Sequence, residues 1–89
     1  MSALKDQFDQ AAKDVNNLKQ KPSNDELLKL YALYKQATVG DCNTERPSAF
    51  NIKEKYKWDA WNALKGETNE QAMEQYVKFV DELKASHGF

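Results

Sequence analysis

Apolar residues recur three and four apart along most of the chain, and two-residue alternation is absent. That spacing predicts helices and no sheet. In the first segment Leu4, Phe8, Ala11, Ala12, Val15 and Leu18 share one face. Lys21-Pro22 closes it, because the residue before a proline is pushed out of the α region. Ser23 and Glu26 then have the spacing of a capping box, in which the serine hydroxyl accepts the amide three residues on. Leu27, Leu30, Tyr31, Tyr34 and Thr38 continue a second stripe, and Gly40 is a natural stop.

Residues 40–50 (GDCNTERPSAF) carry the composition of a loop. Helix connections in bundles usually take about 2–8 residues, so this one is long enough to cross over. Helices two and three then need not be simple antiparallel neighbours. Asn51 with Glu54 has the pattern of the next cap. Trp58, Trp61 and Leu64 mark the third helix, and Lys65-Gly66 its end. Thr68 with Gln71 opens the fourth, whose stripe is Ala72, Met73, Tyr76, Val77, Val80 and Leu83. His87-Gly88 is expected to fray. The reading is an all-α bundle of four helices with a long crossover loop between helices two and three, without repeats.

Size sharpens this picture. The 89 residues are expected to form one domain, 1–89. A chain this short buries only roughly 60% of the surface its unfolded form exposes, so several aromatic residues must serve packing. The composition is 40% hydrophobic and 30% charged. That balance is usual for a globular protein. A net charge of −1 gives no general attraction to nucleic acid or anionic lipid, so any anion site must be local. The one cysteine, Cys42, cannot form an internal disulfide. No apolar leader follows Met1 and no run approaches a membrane span, so the cytosol is the expected compartment. No heptad seam suggests more than a monomer.

Catalytic chemistry finds little support. His87 is the only histidine and stands near the C-terminus, where a general base lacks a defined position. Cys42 lies beside Asp41 and Glu45, whose charges disfavour a thiolate. No Gly-rich phosphate loop, HExxH or zinc spacing is present. No catalytic residue, metal site or cofactor is therefore expected.

Tyrosines and lysines offer more. Tyr31 and Lys35 are four apart on one helix and point the same way, as do Lys53 and Lys57 on another. Tyr76 lies within the fourth. Aromatic faces stack on purine rings, and ammonium groups serve phosphates as compact charges. Spacing alone nevertheless favours packing for Tyr31 and Tyr34. It favours a solvated, ion-paired face for Lys53, Lys55 and Lys57, and core positions for Trp58 and Trp61. Leu27 and Leu28 begin a helix and suit packing, although Leu28 falls off the main stripe and could line a groove.

The chain also resembles the acyl-CoA-binding protein family, also called diazepam-binding inhibitor. The match is carried by Lys21-Pro22, by Leu30-Tyr31, by Tyr34 through Asp41 and by Asn43 with Arg46-Pro47. It continues through Lys57-Trp58-Asp59-Ala60-Trp61, Leu64-Lys65-Gly66, Ala72-Met73 and Tyr76-Val77. The spacing fits from about Phe8 to Gly88. The resemblance implies a skewed four-helix bundle that binds long-chain acyl-CoA and acts as an intracellular carrier and pool former. It implies transient contact with acyl-CoA-using enzymes or membranes, and no nucleic-acid partner. It places Tyr31, Lys35 and Lys57 at the CoA head group and 3′-phosphate, and Tyr76 near the adenine. Tyr34 and Lys53 match further ligand contacts, and Leu27 and Leu28 the acyl wall. Asn16 stands where many relatives have lysine, and Tyr56 where a small residue is common. The rival reading is an interaction module or signalling-peptide precursor that keeps only the bundle.

Overall fold

The structure, a computed structural model, describes residues 3–89; Met1 and Ser2, where the reading of the N-terminus begins, lie outside the described residues. Four α-helices and no strand occur among the described residues: α1 (Ala3–Asp14), α2 (Asn24–Thr38), α3 (Ile52–Asn62) and α4 (Asn69–His87). A 3-10 turn, Val15–Asn17, follows α1 before the chain becomes extended at Leu18. The predicted caps at two helix starts are formed. Ser23 Oγ accepts from the Glu26 amide at 3.2 Å while Glu26 Oε1 accepts from the Ser23 amide at 2.8 Å. Thr68 and Gln71 make the same reciprocal pair at 3.0 and 2.9 Å. Each box satisfies two amides that a helix start leaves without internal acceptors.

The third cap is a correction. Asn51 makes no side-chain cap bond. Its amide instead donates to Ser48 O at 3.0 Å, so a turn in the preceding loop sets the entry to α3. The end of α3 also differs: the helix stops at Asn62, and successive turns carry the chain to Gly66. At the end of α2, Gly40 has φ 101°. Glycine adopts that conformation without a Cβ penalty.

The helices are unequal partners. α4 packs on α1 and α2, α2 in turn carries α3, and α3 contacts no other helix. The buried core is formed by Phe8 and Ala11 of α1, Leu30, Leu33 and Ala37 of α2, and Ala72, Tyr76, Val80 and Leu83 of α4. Phe8 joins the three helices through its ring, which stacks on Tyr34 at 5.5 Å and meets Tyr76 edge-on at 5.0 Å. The Cα trace extends over 36 × 31 × 15 Å, so the molecule is flat.

The C-terminus does not fray. The carbonyls of Gly88 and His87 accept from the amides of Lys19 and Gln20 at 3.0 and 3.1 Å. His87 Nε2 lies 3.1 Å from Glu26 Oε1, and its Nδ1 lies 2.7 Å from Ser86 Oγ. Lys84 donates to the buried Asp14 at 2.7 Å, which fastens α4 to the end of α1. These long-range partners supply the order that terminal position alone would not.

Candidate functional site

The loop after α2 determines where α3 sits, and it does so with polar pins. Trp61 donates its indole N–H to Gly40 O at 2.8 Å, and Trp58 donates to Thr44 O at 2.9 Å. Arg46 grips Asp59 through Nε and Nη2 at 2.9 and 3.0 Å. Asp41 Oδ1 accepts from the Gly66 amide at 2.8 Å and from the side chain of buried Gln36 at 2.9 Å. These donors hold the Asp41 carboxyl below its usual range, the Gly66 amide contributing most; the Arg46 fork does the same for Asp59. Trp61 is buried as expected. Trp58 is only half-buried, and its N–H serves the loop carbonyl.

Pinned in this way, α3 stands beside α2 with a cleft between them. The cavity there measures about 690 Å³. Small-molecule sites usually span roughly 300–1,000 Å³, so the cleft is of that size. Leu27, Leu28 and Tyr31 line it from α2, and Ile52, Lys53, Tyr56 and Lys57 from α3; Lys21 and Asn24 complete it. A smaller hollow of about 260 Å³ lies on the other side of Leu27 and Tyr31, which line both. Its remaining walls are Val15, Asn16, Pro22, Leu30, Tyr34 and Tyr76. One hollow is therefore aromatic and apolar, and the adjoining cleft is apolar with cations.

Charge in the larger cleft is one-sided. Lys21, Lys53 and Lys57 line it and no carboxylate does. Lys57 Nζ lies 5.3 Å from the centre of the Tyr31 ring and 3.7 Å from Glu54 Oε1. The first of these is a cation–π distance. A chain of net charge −1 thus concentrates three positive charges on one concavity. In the smaller hollow, burial pushes the Tyr76 hydroxyl up to about 12, with a smaller contribution from Tyr34. Tyr76 accordingly remains a neutral donor across the physiological range.

Of the residues singled out from sequence, Leu27, Leu28, Tyr31, Lys53 and Lys57 meet in the cleft, and Tyr34 and Tyr76 join Tyr31 in the adjoining hollow. Lys35 lines neither. Its ammonium lies 5.2 Å from the Trp61 ring centre. Asn16 and Tyr56 each line one of the two spaces. Ile52, Lys21 and Asn24 escaped the sequence reading as site residues. A signal for Ile52 was present: it is apolar, lies off the Trp58–Trp61–Leu64 stripe and stands four residues before Tyr56. Two residue types with nucleophilic or basic chemistry lie elsewhere. Cys42 is in the loop with Thr44 Oγ1 at 3.9 Å, and His87 is in the C-terminal clasp. No group of three or more potential metal ligands occurs among the described residues. No helix of the described residues is long and apolar enough to cross a membrane.

Comparison with known proteins agrees throughout the chain. The profile of the acyl-CoA-binding protein family matches residues 5–80. An acyl-CoA-binding protein of Saccharomyces cerevisiae is 56% identical over 80 residues, 90% of this chain and 92% of the yeast protein. One of Gossypium hirsutum is 52% identical over 85 residues, 96% of each. Among solved structures, Oryza sativa acyl-CoA-binding protein 2 superposes with a TM-score of 0.90 at 44% identity, covering 94% of this chain and 93% of the rice chain. The yeast solution structure gives 0.73 at 55% identity, covering 92% and 95%. Fold, length and sequence agree, and the chain belongs to the acyl-CoA-binding protein family.

Proposed function

We propose that residues 1–89 form one acyl-CoA-binding domain, which holds long-chain acyl-CoA non-covalently and serves as a carrier and pool former. The observation that carries this reading is the cleft between α2 and α3. It combines an apolar wall with three lysines and no carboxylate, and it adjoins an aromatic hollow across Leu27 and Tyr31. An amphipathic ligand with a phosphorylated head and an alkyl tail fits that combination.

Each partner has a physical task. Lys57 and Lys53 pair with phosphate oxygens; such charge-assisted bonds are about twice as strong as neutral ones. Tyr31, Tyr34 and Tyr76 offer ring faces and hydroxyls to the adenine and the phosphates. Lys35 reaches the head group by leaving the face of Trp61. Leu27 and Leu28 cover the first part of the acyl chain. Each methylene removed from water contributes roughly 0.8 kcal/mol, of which an open groove captures only part. A free fatty acid leaves the lysines without partners and is bound less well. Holding the thioester requires no nucleophile, and delivery to acyl-CoA-using enzymes requires only dissociation.

Isothermal titration with palmitoyl-CoA, beside CoA and palmitate, tests the reading. Tight one-to-one binding of the thioester is expected, with weaker CoA and weakest palmitate. Tyr31→Phe, Lys35→Ala and Lys57→Ala are each expected to weaken binding by roughly tenfold, about 1.4 kcal/mol, with the helical spectrum retained. No heat with the thioester would leave the bundle as an interaction module. Unchanged affinity in all three variants would remove the residue assignments.

A further inference from the structure

The larger cleft has two ends, and ring contacts between α2 and α3 show how they lie. Lys57 Nζ stands 5.3 Å from the Tyr31 ring centre, and Lys35 Nζ stands 5.2 Å from that of Trp61. A step of four residues along α2 thus matches a step of four along α3, so the two helices run parallel across the cleft. Followed toward the helix starts, the same register sets Leu27 opposite Lys53, and both helices begin near one end, at Asn24 and Ile52. Tyr31 and Asn24 are two turns apart, about 10 Å of helix. Lys21 lies three residues further out, which adds at most about 10 Å. The cleft is therefore long enough for the tail of a long-chain acyl group.

The two ends differ chemically. At one, Tyr31 and Lys57 adjoin the aromatic hollow and suit a phosphorylated head. Leu27, Leu28 and Tyr56 follow and suit an alkyl chain. The other end is not closed by apolar side chains alone, because Lys21 and Asn24 line it beside Ile52. The Lys21 ammonium has no ion-pair or hydrogen-bond partner among the described residues. Asp25 and Glu26, next in sequence to Asn24, line no part of the cleft. Glu26 is engaged by the Ser23 amide at 2.8 Å and by His87 at 3.1 Å. A methyl group arriving at this end meets an ammonium and an amide that it cannot use. A carboxylate arriving there meets donors, in a place open enough to keep part of its hydration. At an apolar end the same carboxylate would lose water without compensation.

We infer that this end is a subsite for an oxidised tail, so that the cleft takes acyl-CoA bearing an ω-carboxylate, the thioester of a long-chain dicarboxylic acid, beside plain acyl-CoA. Lys21 pairs with the terminal carboxylate through a charge-assisted hydrogen bond, and Asn24 donates its side-chain amide. The inference rests on the acyl-CoA reading, which sets the head at Tyr31 and Lys57. It gives a task to the cleft lysine that lies farthest from that head. Lys21 is exposed, so the pair is modest and salt-sensitive, and it permits the oxidised tail without requiring it.

Isothermal titration of the full chain with hexadecanedioyl-CoA and palmitoyl-CoA tests this, since the two thioesters differ only at the tail end. At low salt the parent protein is expected to bind both, with affinities within roughly fivefold of each other. Lys21→Ala is expected to weaken the dicarboxylic thioester by roughly threefold to fivefold and to leave palmitoyl-CoA unchanged. Lys21→Arg is expected to retain both, and raised salt to remove the difference between parent and Lys21→Ala. A parent protein that binds palmitoyl-CoA and not the dicarboxylic thioester would overturn the subsite and leave the carrier. Equal weakening of both thioesters by Lys21→Ala would also overturn it, because Lys21 would then serve the head group. So would a Lys21→Ala variant that binds both as the parent does. Binding of neither thioester by the parent would remove the acyl-CoA reading and the subsite together.

Discussion

The two halves of this small bundle are held by different forces. Helices α1, α2 and α4 share a continuous apolar core, with Leu33, Val80 and Leu83 at 1%, 0% and 1% exposure. Helix α3 contributes one fully buried side chain, Trp61, and leans on α2 alone. It is held in place by indole N–H groups, an arginine fork and the Asp41 acceptor. Packing is non-directional and sets stability. Hydrogen bonds are directional and contribute less net free energy, but they fix a helix at a chosen distance from its neighbour. The cleft exists because α3 is pinned to α2 and not packed down on it. A tighter apolar seam would have filled the space with side chains.

That contrast predicts unequal costs. Leu33→Ala is expected to remove about 2–5 kcal/mol, a large share of the roughly 5–15 kcal/mol typical of a domain. Trp61→Phe keeps an aromatic ring but removes the bond to Gly40 O and part of the buried ring system. A loss of about 1–2 kcal/mol is expected there. Urea denaturation of both variants checks the difference. Equal losses would mean that α3 is part of one undivided core.

Acid is expected to loosen both regions through their carboxylates. Hydrogen bonds from Lys84 and Gln10 hold Asp14 below its ordinary 3.8, and the Ser23 amide holds Glu26 below its ordinary 4.5. Asp41 and Asp59 are lowered as well. A lowered carboxyl stabilises the fold above its unfolded value and loses that contribution as pH falls through the folded one. Stability is therefore expected to be complete above about pH 5 and to fall progressively at lower pH. Asp41→Asn keeps an acceptor without the charge, so its urea midpoint should vary less across this window. A parallel profile would show that the pin at the end of α2 does not couple to acid unfolding.

The same division explains what was legible beforehand. Helix periods and the Ser23–Glu26 and Thr68–Gln71 boxes are local, and each was readable over a few residues. Asn51 misled because a turn at Ser48, outside the cap motif, sets the start of α3. The His87 clasp was hidden because its partners, Lys19, Gln20 and Glu26, are far away in the chain. Site residues fall between these cases. Their spacing put Tyr31 with Lys35, and Lys53 with Lys57, on common faces. No local pattern could say that Tyr31 would separate two hollows, or that Lys35 would turn toward Trp61 instead.

The smallest expected effect concerns the hollow that carries no charge. No cation lines it; Asn16 does, and its amide donates to Ala12 O at 3.3 Å. A lysine there would sit exposed, at the edge of a concavity whose larger neighbour already holds three lysines. Its attraction to a bound phosphate would act through water, where exposed pairs are worth little and salt screens them within about 8–10 Å. Asn16→Lys is thus expected to tighten palmitoyl-CoA binding by roughly twofold to fivefold at low salt. The gain should vanish at high salt, whereas the contribution of the partly enclosed Lys57 should persist there. Titrations at two ionic strengths separate the cases. A gain that survives salt would mean that the phosphate sits inside the smaller hollow. No gain at either strength would mean that the head group lies wholly on the α3 side of Tyr31.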